Sequence, residues 1–438
     1  MAQSQVNTTV APERAAPHGT FAALRQPNFS WFLLGTTFSN SAQWIQQVTL
    51  SWLVYELTSS GTMLATLNLV RSVATLGLAP LAGVAIDRLS RRGLLYATNG
   101  WLFTISLVYG VVLLTNPAVI WPLFVFALLG GVAQAVSMPL TQTLVFSLVP
   151  RALAPSAVAL VQTGWAVMRS IGPALGGFLI LWFGPAGNFF VQAGAYALVA
   201  VTVMKLHLPP ERVDATNTTA GSSLREGLRY IAAERTTRAF LLMGWVLPLF
   251  IIPIFSALPP IYAKDVFAGG PGTLGVLLSA VGIGGIAGGF VTASLGQLER
   301  RGLVQIAALL LLSLSLIGFA LSSDLWVALV CLVVSGFFEM VYLTTNQTLL
   351  QLSIPDALRG RVTGIVSLNS GLMPVGALIA GIGADLVGPR MITILLSGSA
   401  AAIAVVVFFA SPTIREYRLS RAMAASDRQG DDVSSRAR

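Results

Sequence analysis

Two stretches decide the fold of this chain: GGVAQAVSMPLTQTLVFSLVPRAL, from Gly130 to Leu153, and SGFFEMVYLTTNQTLLQLSIPDAL, from Ser335 to Leu358. They align without a gap, 205 residues apart. Gly131 matches Gly336; Gln142, Thr143 and Leu144 match Gln347, Thr348 and Leu349; Pro150 matches Pro355; Ala152 and Leu153 match Ala357 and Leu358. Spans four and five of one half thus correspond to spans ten and eleven of the other, in the same orientation. That relation predicts parallel repeats about an axis along the membrane normal, with a central site between them.

The composition agrees. Of 438 residues, 55% are apolar and 10% charged, against roughly 25% charged in soluble domains. Lipid is the expected solvent for most of the chain. Apolar runs long enough to cross a bilayer fall near 30–55, 62–86, 94–115, 119–146, 157–182 and 187–206, and again near 239–262, 273–296, 303–321, 325–350, 362–386 and 390–410. The expected fold class is an all-α integral membrane protein of 12 transmembrane helices in two parallel six-helix pseudo-repeats. The expected organisation is a tail over 1–28, one bundle over 29–206, a linker over 207–238, a second bundle over 239–410 and a tail over 411–438. The linker carries an expected amphipathic surface helix from Ser223, and the second tail, rich in Arg, Ser, Ala and Asp, is expected to be disordered.

Cytoplasmic loops retain Lys and Arg. With the N-terminus inside, the inner segments hold Arg88, Arg91, Arg92, Arg151, Arg300, Arg301 and most other basic residues, whereas the outer loops hold only Lys264 and Arg390. Both termini are therefore expected in the cytoplasm, and the formal charge of +9 belongs to the inner membrane face rather than to a nucleic-acid surface. No signal peptide is expected in the N-terminal segment.

After the second run the chain reads Gly83-Val-Ala-Ile-Asp87-Arg88-Leu-Ser-Arg91-Arg92, a GxxxDRxxRR pattern in a cytoplasmic turn. It is either a positive-inside loop or a latch in which Asp87 accepts charge-assisted bonds. In the second half Glu299-Arg300-Arg301-Gly302 aligns with Ser90-Arg91-Arg92-Gly93, and Gly296 stands where Asp87 would be. The fifth run carries Gly172-Pro173-Ala-Leu-Gly176-Gly177. With NSAQWIQQVTLSWLVYELTSS and LAPLAGVAIDRLSRR in the first two spans, these motifs resemble the major facilitator superfamily, in the branch of the enterobactin exporter and the macrolide efflux proteins. The resemblance covers nearly the whole chain and is strongest through Arg92 and from Met138 to Gly177. It implies twelve helices, a cytoplasmic gate at Gly83, Asp87, Arg88, Arg91 and Arg92, and export driven by the proton gradient. The span-five run is similar to the core of an antiporter signature, although Ala159 and Met168 stand where the longer signature has glycines. A GPxxGG run also gives a kink and a small-residue packing face in any bundle.

Ionisable groups at mid-membrane cost about 2.5 to 3.5 kcal/mol on insertion scales, so they face a cavity, a partner or both. Arg71, Arg169 and Glu339 fall near the centres of spans two, five and ten. Glu339, the only carboxylate at that depth, either carries the coupling proton or forms a fixed ion pair with an arginine. Arg71 and Arg169 either grip an anionic substrate or hold neighbouring helices through backbone carbonyls. In span one, Asn40, Gln43, Trp44 and Gln47 recur at spacings of three and four, a polar stripe on an apolar helix. By the resemblance, this stripe stands with Gln134, Gln142, Glu339 and Asn346 around the substrate, walled by Phe38, Met138 and Met340. In span eight, Gly284, Gly285, Gly288 and Gly289 form overlapping GxxxG pairs for close packing.

Other functions lack their residues. The lone Cys331 and the two histidines, His18 and His207, offer no metal set or triad, and no GxxxxGK[ST] loop is present for ATP. No cofactor, metal or enzymatic site is expected, and no sensing domain of the kind a receptor needs. The reading is a secondary transporter that exports an amphipathic small molecule (drug, macrolide or siderophore-like) by proton-coupled antiport and alternating access. Its partners are lipid, protons and substrate, and one chain suffices as a monomer. An importer of the same fold is the alternative.

Overall fold

The computed structural model describes residues 21–116, 119–207, 229–294, 299–354, 358, 362, 365–366, 371–415 and 417, and Asp87 by its backbone alone. Residues 229–233, at the end of the expected surface helix from Ser223, are helical, whereas the part before them, Gly296 and nearly all of the 411–438 tail lie outside the described residues.

Among the described residues the chain is helical, with no strand. The long elements are α1 (Pro27–Thr58), α2 (Gly61–Arg88), α3 (Arg91–Thr115), α4 (Trp121–Leu148) and α5 (Ala154–Lys205). After the linker come α6 (Arg235–Val266), α7 (Pro271–Ser294), α8 (Arg301–Leu321), α9 (Leu325–Leu352), α10 (Leu372–Val387) and α11 (Pro389–Ala410). Nine described helices are long and apolar enough to cross a membrane. The 32-residue α1 is not among them, because Asn40, Gln43, Gln46, Gln47 and Glu56 dilute its hydropathy. The described part of α10 is apolar but has 16 residues.

Local sequence sets the ends. Pro27, Pro122, Pro155 and Pro389 stand in the first turn of their helices, where a missing N–H costs nothing and the fixed φ already suits a helix. Ser60, Ser90 and Asp324 cap α2, α3 and α9 by accepting backbone N–H bonds. The 52-residue α5 folds back at Gly184, whose φ of +69° is followed by Pro185, and α10 turns into α11 at Gly388, with φ +85°, followed by Pro389. A side chain at either glycine would meet the left-handed penalty that glycine avoids. Pro248, Pro253, Pro259 and Pro260 break α6 into short α and π turns. The Tyr342 hydroxyl of α9 donates to the Met243 carbonyl of α6 at 2.6 Å, the kind of neighbour contact that serves backbone in an interrupted membrane helix.

In the first bundle α1 and α3 pack on α5, and α2 packs on α4; in the second, α7 and α8 pack on α9, and α11 on α8 and α10. A Cβ at Gly284 would lie 1.9 Å from the Val333 carbonyl oxygen and one at Gly288 2.4 Å from that of Phe337, whereas Gly285 has 3.8 Å of room. One of the two GxxxG pairs therefore forms the α7–α9 contact. Buried amides on the second leg of α5 meet the polar face of α1: Asn188 donates to Thr49 Oγ1 at 2.6 Å, and Gln192 to Gln46 Oε1 at 2.7 Å.

Two seams join the bundles, α5 on α7 and α2 on α10. At the arginine-poor end, where Lys264, Asp265 and Asp385 stand, polar contacts cross between the bundles. Asp385 on α10 accepts from Gly61 N at 2.6 Å, Thr62 N at 2.9 Å, Thr62 Oγ1 at 2.6 Å and Ser60 Oγ at 2.8 Å, so one carboxylate from the second bundle covers the N-terminus of α2. Beside it the Tyr55 hydroxyl donates to Asp265, and Lys264 Nζ reaches the Glu56 carbonyl and Ser59 Oγ at 3.5 Å. Nearer the arginine-rich end of α2, a Cβ at Gly77 or Gly83 would meet open space.

Candidate functional site

Between these ends lies a recess in the first bundle with a volume of about 750 Å³, its open mouth included. From α1 it takes Gln43, Trp44, Gln46 and Gln47; from α2, Arg71; from α4, Gln134 and Ser137; and from α5, Trp165 and Tyr196. Five expected residues, Gln43, Trp44, Gln47, Arg71 and Gln134, thus meet around one space. Arg71 Nη1 donates to Gln47 Oε1 at 3.1 Å. A guanidinium has only donors, so this bond turns the Gln47 oxygen toward Arg71 and leaves its NH₂ for other partners.

Arg169 lies one helical turn beyond Trp165, with its guanidinium carbon 5.7 Å from the centre of that indole. Its Nη2 reaches both oxygens of Glu339, at 2.8 and 2.7 Å. The Glu339 side chain is 6% exposed and that of Arg169 20%. This ion pair runs from α5 to α9, tying the bundles at mid-depth beside the recess. Trp44 and Trp165, with ring centres 6.4 Å apart, both line the recess.

The other expected residues lie elsewhere. Asn346 is buried in the second bundle, where its Oδ1 accepts from Gln305 at 2.6 Å. Gln142 is exposed toward the arginine-rich end of α4, and Asn40 is half-buried on α1; neither lines the recess. Met340 helps line a second recess, of about 800 Å³, with Gly289, Thr292, Arg301, Thr344 and Thr348, while Met138 is exposed. In the GxxxDRxxRR segment Arg88 is exposed, and Arg92 donates to the Met204 carbonyl at 3.2 Å and lies 5.9 Å from the Tyr96 ring centre. Arg91 is half-buried, and the Asp87 side chain lies outside the described residues.

The span-five glycines are contact points. A Cβ at Gly172 would lie 2.6 Å from that of Trp44, one at Gly176 3.2 Å from the Ile45 Cα, and one at Gly177 2.4 Å from the Pro271 carbonyl oxygen. Pro173 turns its carbonyl oxygen toward Gly275, within 2.6 Å of where a Cβ there would stand. The run thus packs α5 on α1 with one face and on α7 with the other.

Sequence reasoning passed over Gln46, Ser137, Trp165 and Tyr196. Gln46 carried a signal, since it adjoins Gln47 and pairs with a second buried amide, Gln192, in span six.

A profile of the family described as transmembrane secretion effector matches residues 18–433. The chain is 25% identical to the staphyloferrin A transporter of Staphylococcus aureus over 84% of this chain and 92% of that one. It is 27% identical to the multidrug efflux pump Tap of Mycolicibacterium fortuitum, covering 85% and 93%, and 22% identical to macrolide efflux protein A of Streptococcus pyogenes, covering 85% and 92%. Its fold is similar to that of a bacterial homologue of the lysosomal transporter Spinster in an inward-facing, unoccupied conformation, with TM-score 0.67, 16% identity and coverage of 90% and 99%. It is also similar to a D-xylose–proton symporter, with TM-score 0.66, 16% identity and coverage of 90% and 99%. A recess between long membrane helices, bundles joined along two seams and a family match over nearly the whole length lead to one conclusion: the chain is a major facilitator transporter of the transmembrane secretion effector family.

Proposed function

We propose that the chain exports an amphipathic small molecule across the cytoplasmic membrane by proton-coupled alternating access, with the arginine-rich end in the cytoplasm. Twelve crossings follow when the two legs of α5 are counted separately and α1 and α10 are included. The corners support a two-repeat reading. Gly184-Pro185 and Gly388-Pro389 stand at corresponding hairpins, as do the positive-φ residues Ser59 and Ala268. The bundles also meet through two pairs that a pseudo-two-fold axis would exchange, α5 with α7 and α2 with α10. One chain holds both halves, so a monomer suffices.

The observation that carries the reading is the Arg169–Glu339 pair across the bundles, one helical turn from a polar recess. A buried pair stays bound while both partners are charged, and loss of one partner leaves an uncompensated charge that costs about 3–5 kcal/mol. A proton on Glu339 removes that attraction and frees Arg169, so one protonation event loosens the mid-depth tie about which the bundles rock. With the arginine-poor end latched across the bundles, substrate enters from the cytoplasm at the opposite end. Substrate-driven proton movement in proteoliposomes, compared between the native chain and Glu339→Gln over siderophore, macrolide and dye-like compounds, tests the coupling. Unchanged flux in the variant moves the coupling site elsewhere. Direction is read in cells: those lacking the protein accumulate the compound if it is an exporter and fail to acquire it if it is an importer.

A further inference from the structure

Two guanidinium groups sit at mid-depth, and the chain treats them differently. Arg169 is neutralised by Glu339. Arg71 has no carboxylate partner among the described residues, and its side chain makes one hydrogen bond, to the neutral Gln47. Two of the amides beside it already have their oxygens engaged. Gln47 Oε1 is taken by Arg71 and Gln46 Oε1 by Gln192. The Gln46 NH₂ stands near Gly130, on the wall of the same recess.

We propose, resting on the transporter reading, that the substrate carries a carboxylate or similar anionic head that pairs with Arg71, while its apolar body lies against Trp44 and Trp165. A half-buried charge at mid-depth with no opposite charge beside it is costly. An anion with two acceptor oxygens matches the fork of a guanidinium, and the amide N–H groups of Gln46 and Gln47 serve its remaining lone pairs. A cationic substrate would meet the like charge of Arg71. The two indoles supply flat apolar area on one side of the charge, which describes an aryl or acyl acid rather than a small hydrophilic one.

The test uses purified full-length protein and two matched probes, dansyl-leucine and dansyl-leucinamide, which differ only in the carboxylate. Energy transfer from tryptophan to dansyl reports binding, and Trp44→Phe with Trp165→Phe assigns the signal to this recess. The native chain is expected to bind the acid at least tenfold more tightly than the amide. That preference should vanish in Arg71→Gln and survive in part in Arg71→Lys. Equal or tighter binding of the amide, no binding of the acid, or a preference untouched by Arg71→Gln overturns the proposal. The native acid-to-amide ratio decides the matter even if Arg71→Gln fails to fold. Because binding is measured without a gradient, a protein that prefers the acid but exports nothing leaves this inference standing and sinks the efflux reading alone.

Discussion

Asp385 reaches across the seam to the first turn of α2, and replacing it with Asn tests whether that contact latches the arginine-poor end. The carboxylate accepts two backbone N–H groups, from Gly61 and Thr62, that have no partner within their own helix, and two hydroxyls. When the bundles part, all four donors rehydrate, so the latch is worth the difference between a charged cap and water. Helix N-caps are worth about 0.5–2 kcal/mol, and a negative charge at an exposed N-terminus adds about 0.3–1 kcal/mol. Asp385 is exposed, which argues for the lower part of the summed range, about 1–2 kcal/mol. Asn keeps one acceptor but loses the charge, and Ala loses both. At 1.4 kcal/mol per factor of ten, the ratio of closed to open at this end should fall about 5- to 30-fold in the Ala variant and by less in the Asn variant. Spin labels at Leu114 and Leu321, exposed at this end on opposite bundles, in a Cys331→Ser background, read the change as a growing long-distance population in double electron–electron resonance. Distance distributions that match native in both variants would refute the latch.

The α7–α9 contact offers a matched pair. Gly284→Ala should destabilise the detergent-solubilised protein by about 1–3 kcal/mol, because the added methyl would stand 1.9 Å from the Val333 oxygen, whereas Gly285→Ala, with 3.8 Å of space, should leave its thermal unfolding near native. Tyr55→Phe removes one hydrogen bond to Asp265 and should lower the closed-to-open ratio read by the same spin labels by the equivalent of about 0.5–1.5 kcal/mol; an unchanged ratio would place that bond outside the latch. Gly172→Leu should push Trp44 away from α5 and weaken binding of the dansyl acid without abolishing insertion in the membrane. Unaltered affinity would mean that the packing of Trp44 does not shape the recess.

The sequence exposes this fold where physics is local and hides it where contacts are distant. Apolar runs, proline at first turns and glycine at reversed corners are readable because each acts on its own neighbours. The polar stripe of α1 is readable for the same reason, and Gln43, Trp44 and Gln47 stand at the recess. Asn346 looks equivalent by register, yet it is bonded to Gln305, a partner no spacing rule reveals. Asp385 reads as an ordinary carboxylate at a helix end, since the Ser60–Thr62 turn that it caps lies on the far side of a tertiary seam. The span-five run admits both a transport signature and a packing face, and only coordinates show Gly177 against Pro271 and Gly172 against Trp44.

The charges at the site set a condition on the direction of transport. Protonating Glu339 leaves the cavity more positive, with Arg169 unpaired as well as Arg71. By charge alone this draws an anion in, so proton and anionic substrate favour each other's binding, and linkage makes that preference mutual. Mutual attraction is the thermodynamic form of symport, whereas antiport needs each ligand to weaken the other. An exporter must therefore reverse the electrostatic sign through conformation, with protonation at Glu339 favouring a state in which Arg71 is withdrawn or offered to the other side. Glu339→Gln imitates the protonated group, so its affinity for dansyl-leucine measures the sign. A variant that binds the acid several-fold less tightly than native fits exchange of proton for substrate. Several-fold tighter binding would mean that the two travel together, and the importer reading would replace the exporter.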